Sequence, residues 1–393
     1  MSSKGWRRKQ LGDLVTFQRG HDLSKSEFIP GNYPIAGSNG IIGYHNTFTT
    51  KGPSITLGRS GNLGTPYFYQ GDFWAHNTTL YVKEFHNSDP KFVYYLLKTL
   101  DFSQFNSGSA VPSLNRNYIH PLEVDVPEDL ETQHRIADIL SALDEKIELN
   151  QQTNATLEAI AQAIFKEWFV GFNFPGATGA MAKSELGMIP KGWRVAVFED
   201  ELEAERGLSY KGGGLESGNA MPMHNLNSVY EGGGYKFDGI KYYSGEYREK
   251  HIVRPGDLIV TNTEQGHKYL LIGYPAIVPS TFGDVGIYSH HIYRVKPKPN
   301  SYLTSDFVYH LLLQPAIREQ VVGFANGTTV NMLKVEGLQK PKFVLPSKEL
   351  VSHFSEITKN IRLLHEKNIE QSITLASLRD TLLPKLMSGE IEI

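Results

Sequence analysis

Polar and apolar positions change rhythm twice along the 393-residue chain. From Glu131 to Phe169 glycine and proline are absent, and Ile136, Leu140, Leu143, Ile147, Asn150, Asn154, Leu157, Ala161, Ile164 and Trp168 step by four and three. That spacing predicts a coiled-coil seam sustained over several heptads. The C-terminal segment repeats the rhythm 218 residues later, through Phe354, Thr358, Ile361, His365, Asn368, Ser372, Leu375, Leu382 and Leu386. Asp129 and Ser347, at the same offset, are suited to be the N-caps. Each predicted helix has about 39 residues and a length of about 58 Å. One such helix cannot bury its stripe alone, but two in one chain can bury each other. Antiparallel with full overlap, their midpoints are Asn150 and Asn368. A polar pair there fixes register. The two side chains are therefore expected close together, near a pseudo-two-fold axis.

The remaining sequence alternates short apolar runs with polar loops. SITL, PYFYQ and TLYVK in the first half, and DLIVT, LLIGY and IYRVK in the second, predict strands. One helix is expected late in each half, Lys91 to Leu100 and Thr304 to Gln320. The halves are internal repeats. KGWRRKQLGDLVTFQRG at 4–20 matches KGWRVAVFEDELEAERG at 191–207 at Lys4, Gly5, Trp6, Arg7, Arg19 and Gly20. Gly108, Val111, Leu114 and Pro127 match Gly327, Val330, Leu333 and Pro346. The stretch from Gly20 to Gly108 spans 88 positions, against 120 from Gly207 to Gly327. Two copies with different middles suggest one scaffold that presents two surfaces. Trp6 and Trp193 read as core anchors. The division expected is 1–130, a mixed domain; 131–170, a long helix; 171–190, a Gly/Ala-rich linker; 191–346, a second mixed domain; and 347–393, a second long helix and tail. The fold class is α+β: two similar mixed α/β domains joined by two long antiparallel coiled-coil helices with pseudo-two-fold symmetry.

Composition narrows the chemistry. There is no cysteine, which excludes disulfides, thiol catalysis and thiolate-held metal. No stretch approaches the ~20 apolar residues that span a bilayer. The N-terminal MSSKGWRRKQ has no apolar core of a secretion signal, so the cytoplasm is expected. Net charge is −3, without the basic surplus of a nonspecific nucleic-acid binder. Residues 131–190 hold four Lys/Arg against eight Asp/Glu, a poor match to phosphates. The globular halves are near neutral and rich in Arg, Lys, His, Asn, Thr and Tyr, which suits contact with base edges.

Catalytic signatures are missing: no GxxxxGK[ST], GxGxxG, HExxH or GxSxG, and no motif of the kind that holds a methylation target amine. His290 and His291 are adjacent, so in a strand they would face opposite ways and share no metal easily. A metal-dependent nuclease using Asp144, Glu145 and Lys146 is one alternative; the triplet falls between seam positions and reads better as solvated helix charge. A coiled-coil scaffold that binds only protein is another. The polar loop clusters give the DNA-contact candidates: Arg19, Arg59, Ser60, Asn62, His76, Asn77 and Ser109 in the first half. In the second they are Arg206, Lys211, Asn262, Thr263, Gln265, His267, Lys268, His290, His291 and Thr328. Arg can grip guanine, and Asn or Gln adenine, through paired hydrogen bonds. The bland reading of each is a capped turn. No catalytic and no metal-ligating residue is assigned.

IPKGWR at 189–194, NGTTVNML at 326–333, the long 131–169 helix and the SLRDTLLPKLMSGEI ending together resemble the specificity subunit of type I restriction-modification systems. The resemblance covers the whole chain; the one mild departure is that only three residues precede the first KGWR. It implies that each half is a target-recognition domain for one part of a split, asymmetric DNA sequence, with the helices as a ruler. It implies no catalytic activity and no cofactor on this chain. Double-stranded DNA, two methyltransferase subunits and, in the full complex, restriction subunits would be its partners. S-adenosylmethionine, ATP and Mg would sit on those subunits only.

Overall fold

The computed structural model describes residues 5–105, 113–216, 218, 220–265, 268–327 and 330–393. The chain divides into two units, Met1–Leu149 with Gln371–Ile393, and Asn150–Glu370. Each contains a globular part and a stretch of both long helices.

The first unit is built on a four-stranded antiparallel sheet in the order Val15–Arg19, Thr79–Phe85, Ser54–Gly58, Pro66–Tyr69. Beside it, Tyr33–Gly37 pairs antiparallel with Gly40–His45 and parallel with Trp74–Ala75. Trp6–Gln10 pairs with Glu123–Pro127 and closes the part next to the long helix. Asp89 caps the helix Pro90–Thr99 by accepting the Phe92 N–H at 2.7 Å, with Pro90 in the first turn, where its missing N–H costs nothing. Phe17, Leu57, Leu80, Phe92 and Leu96 form the core, and Ile136, Ala137 and Leu140 of one long helix and Leu383, Leu386 and Met387 of the other complete it.

The second unit repeats this topology. Its sheet runs Leu202–Arg206, Ile292–Pro297, Leu258–Thr261, Pro275–Ile277. Met221–His224 pairs antiparallel with Lys241–Tyr243 and parallel with Gly286–Tyr288. Arg194–Val197 pairs with Lys342–Leu345. Phe354, 218 positions after Ile136, and Phe165 and Phe169, 218 before Leu383 and Met387, replace aliphatic contacts with aromatic ones: Phe354 packs on Phe165 (5.4 Å between ring centroids), Phe169 (5.2 Å) and Phe307 (6.2 Å). Trp193 stacks on Phe174 at 5.0 Å, and Trp6 packs against the first unit's core, so both are anchors.

The long helices are Leu130–Phe165, which widens into a π turn over Lys166–Val170, and Lys348–Met387. Asp129 accepts from Thr132 N at 2.7 Å, and Ser347 accepts from Leu350 N at 3.4 Å. Every position of the first predicted seam is buried or half-buried. Within the second unit, Asn150 Nδ2 donates to the Asn368 carbonyl at 3.2 Å, Asn154 Nδ2 to the His365 carbonyl at 3.2 Å, and Asn368 Nδ2 to Asn154 Oδ1 at 2.8 Å. Partner numbers fall as the helix numbers rise, so the pairing is antiparallel. The midpoint asparagines do meet, and Asn154 joins them. In the first unit Arg379 Nη1 reaches Asp144 Oδ1 at 2.5 Å.

Several expectations change. The helix foreseen over Thr304 to Gln320 is two, Ser305–Leu312 and Pro315–Val322, because Pro315 cannot continue the first and starts a second. LLIGY is a turn: the Glu264 carboxylate takes the N–H groups of Leu270, Leu271 and Ile272, which a strand would need for its ladder. The 171–190 segment contains a hairpin, Met181–Ser184 with Gly187–Pro190, set by a positive φ at Gly187. Asp144 is half-buried and held rather than free in solvent: besides Arg379 it accepts from Tyr95 Oη at 2.7 Å, while the exposed Glu145 pairs with Lys91 at 2.9 Å.

Two buried histidines tie stability to pH. Burial pushes the pKa of His224 and of His310 down to about 3. Below pH 6.5 the unfolded chain takes up protons on these rings and the folded chain does not. Stability is therefore full above that pH and falls as the pH drops toward 3, by roughly 1 kcal/mol per pH unit per ring. Urea midpoints for the second unit should fall between pH 7.5 and 5, and His310→Phe should flatten the slope; a slope unchanged by that substitution contradicts the assignment. At pH 7.5, Phe354→Ala should cost about 3–5 kcal/mol, read from the same titration.

Candidate nucleic-acid interface

One hydrogen-bonded frame occurs in both units. In the first, Gly20 N donates to Thr79 O (3.0 Å), His21 N to Ala75 O (2.7 Å), Arg59 N to Thr78 O (2.8 Å) and Leu114 N to Arg59 O (2.8 Å). In the second, Gly207 N donates to Ile292 O (3.3 Å), Leu208 N to Tyr288 O (2.7 Å), Asn262 N to His291 O (3.0 Å) and Leu333 N to Asn262 O (2.8 Å). The repeated Arg-Gly pair has a steric cause. A Cβ on Gly20 would lie 2.1 Å from His76 O, and one on Gly207 2.3 Å from Ser289 O. The frame makes Arg19 equivalent to Arg206, Arg59 to Asn262, and Asn77 to His290.

Side chains at those equivalent positions share a bonding logic and differ in chemistry. Arg59 Nη1 donates to the Asn77 carbonyl at 3.4 Å, and Asn262 Nδ2 donates to the His290 carbonyl at 3.0 Å. Arg206 Nε reaches that same His290 carbonyl at 3.1 Å. Arg19 instead binds Asp22 at 2.8 Å, and Asp22 also accepts from Asn77 Nδ2. The Asn77 amide, and then Arg19, hold the Asp22 carboxyl below its usual range. His76 uses both ring nitrogens internally, with Thr78 Oγ1 at 2.9 Å and Leu23 O at 3.0 Å. The first site thus presents two guanidiniums, an amide and a carboxylate.

The second site presents imidazoles. His290 and His291 lie in a turn, not a strand, and their rings approach to 3.9 Å between centroids, which corrects the expectation that they face apart. His291 Nδ1 sits 3.1 Å from Thr263 Oγ1, which donates to Asn262 Oδ1 at 2.8 Å. Burial first, then His290, Arg206 and Lys241, push the His291 pKa down, so this ring is neutral at pH 7. His290 Nδ1 is buried without a hydrogen-bond partner. Tyr210 lies 6.2 Å from the His290 ring and carries Lys241 over its own ring at 5.9 Å.

Other candidates stay at the margin. Ser60 bridges to Ser113, and Asn62 accepts from Thr65 Oγ1 at 3.0 Å in its own turn. Lys211, Gln265 and Lys268 are exposed. Ser109, His267 and Thr328 lie outside the described residues. Among the described residues no group of three His, Asp or Glu is placed to hold a metal ion, and no helix is long and apolar enough to cross a membrane. Asp22, Tyr210 and Lys241 were not singled out from sequence. They follow the two Arg-Gly pairs in stretches the repeats do not share, so no internal match flagged them.

The Type I restriction modification DNA specificity domain model matches residues 3–159. The specificity subunit of the type I restriction enzyme MjaIX from Methanocaldococcus jannaschii is 26% identical over 427 residues, covering 99% of this chain and 94% of that protein. The HindI specificity subunit from Haemophilus influenzae is 27% identical over 77% of each chain. A solved S subunit of a type I restriction-modification system from M. genitalium superposes with a TM-score of 0.66 at 16% identity, over 97% of this chain and 96% of that one, and shares the fold. Along nearly its whole length the chain is thus similar to specificity subunits of type I restriction-modification systems, and over residues 3–159 it matches their DNA specificity domain.

Proposed function

We propose that this chain is the DNA sequence-recognition subunit of a type I restriction-modification complex. Each globular part reads one part of a bipartite, asymmetric target. The observation that carries this reading is the shared frame with unlike side chains: Arg59 and Asn77 in one unit stand where Asn262 and His290 stand in the other. Identical surfaces would read a repeated sequence; unlike ones read two different sequences. Arginine favours guanine and asparagine adenine, so the two parts of the target differ in base content.

The long helices set the gap between the two parts of the target and carry the docking sites for two methyltransferase subunits. Half-site spacing then follows the geometry of the protein, as in other two-headed DNA readers. The chain itself catalyses no step and holds no cofactor. S-adenosylmethionine and the methyl transfer belong to the methyltransferase subunits, and ATP, Mg and cleavage to restriction subunits. Near-neutral charge fits this division, because partner subunits supply the phosphate clamp. The cytoplasm, where DNA and these partners meet, is the place of action. Against the nuclease alternative, Asp144 and Glu145 are engaged by Arg379, Tyr95 and Lys91 within the first unit.

The test is a domain exchange. Residues 191–346 are replaced by the corresponding domain of another specificity subunit, and methylated adenines are mapped after co-expression with methyltransferase subunits. One part of the target should change and the other should stay. A wholly unchanged target contradicts the reading, as does loss of both parts from a folded chimera.

A further inference from the structure

The frame shared by the two units is bridged by loops of unequal length. From Gly58 to Thr65, whose N–H and carbonyl close the first loop at 3.2 Å, there are seven steps; from Thr261 to Tyr274, closed the same way at 3.1 Å, there are thirteen. The second unit therefore carries six extra residues beside Asn262 and Thr263. A longer loop at a recognition surface is ordinarily loose. Here the stretch 269–272 is held from inside on both kinds of backbone group.

Glu264 is 7% exposed, and its carboxylate accepts from three successive N–H groups: Leu270 at 3.0 Å, Leu271 at 2.9 Å and Ile272 at 2.9 Å. Arg318 takes the carbonyls, with Nη1 on Ile272 O at 2.9 Å and Nη2 on Tyr269 O at 3.2 Å. Its guanidinium also lies 3.5 Å from the centre of the Tyr274 ring. Gly273, at φ +74, lets the chain pass; a Cβ there would meet Val321 Cγ1 at 2.8 Å and Arg318 Nη1 at 3.1 Å. Arg318 belongs to Pro315–Val322, the second of the two short helices that Pro315 separates. What the clamp leaves outside is Lys268 and Leu270, both exposed. A cation can donate to guanine or phosphate, and an aliphatic tip can meet a thymine methyl.

We infer that Glu264 and Arg318 are positioning residues that preset the 268–274 loop to read the second unit's part of the DNA target, an inference that rests on the function proposed above. Ordering the loop before binding removes an entropy cost from recognition and sharpens the distinction between right and wrong bases. Neither side chain needs to touch DNA.

The experiment uses the full chain in complex with its methyltransferase subunits and a pool of DNA duplexes randomised in both parts of the target. Glu264→Gln and Arg318→Met release the clamp; Lys268→Ala with Leu270→Ala removes the exposed tip and leaves the clamp intact. Each of the three should lose about tenfold or more in discrimination within one part of the target, with the other part and the gap unchanged. A role confined to folding would instead lower binding to both parts together. Wild-type discrimination in both parts for the tip variant overturns the inference, even if a clamp variant fails to fold. So does equal loss in both parts for folded clamp variants. A wild-type complex without sequence preference in either part sinks the underlying function itself, which is a different failure.

Discussion

Neither long helix can bury its own apolar stripe, and each globular part lacks a finished core until both helices are laid on it. In the first unit the missing side chains are Ile136, Ala137 and Leu140 with Leu383, Leu386 and Met387; in the second they are Phe165 and Phe169 with Leu350, Val351 and Phe354. Pairing of the two helices is therefore a condition for folding each unit. A strand or loop can vary without breaking it. This separates the parts of the sequence that must stay regular from the parts free to specialise.

Polar contacts at the seam supply what apolar packing cannot, which is register. A hydrophobic stripe tolerates a shift of one heptad at modest cost, but buried amides do not. Asn150, 2% exposed, is placed against the Asn368 carbonyl, and Asn154 against the His365 carbonyl. The charged contacts between globular part and helix are also distinct in the two units. Lys91 of the first faces Glu145, whereas Asp306 of the second faces Arg362, which also binds Glu366. The polarity is reversed, so a globular part set on the other unit's helix would meet a like charge.

Much of this was legible in the sequence because helical periodicity is a geometric signal independent of tertiary context. The seam positions, both caps, the midpoint asparagines and the core tryptophans could all be read from spacing and from the repeat. What failed was decided by single residues acting at a distance. Pro315 divides a helix whose apolar pattern runs on across it. LLIGY has the composition of a strand, but Glu264 captures its N–H groups. A Gly/Ala-rich composition carries no signal for the hairpin, and the spacing around Asp144 carries none for its partners Tyr95 and Arg379. At the candidate site, sequence located the loops and several side chains. Asp22, Tyr210 and Lys241 escaped because they lie where the two copies diverge, which is also where two readers must differ.

On the function proposed above, paired helices fix the spacing at which two unlike surfaces read DNA. Inserting one heptad into each helix beside Asn150 and Asn368 keeps the seam in phase and adds about 10 Å of helix. The measurement is a map of methylated adenines for that variant with its methyltransferase subunits. Both parts of the target should persist with a gap about three base pairs longer, at ~3.4 Å per pair. An unchanged gap in a folded, active complex would contradict the account.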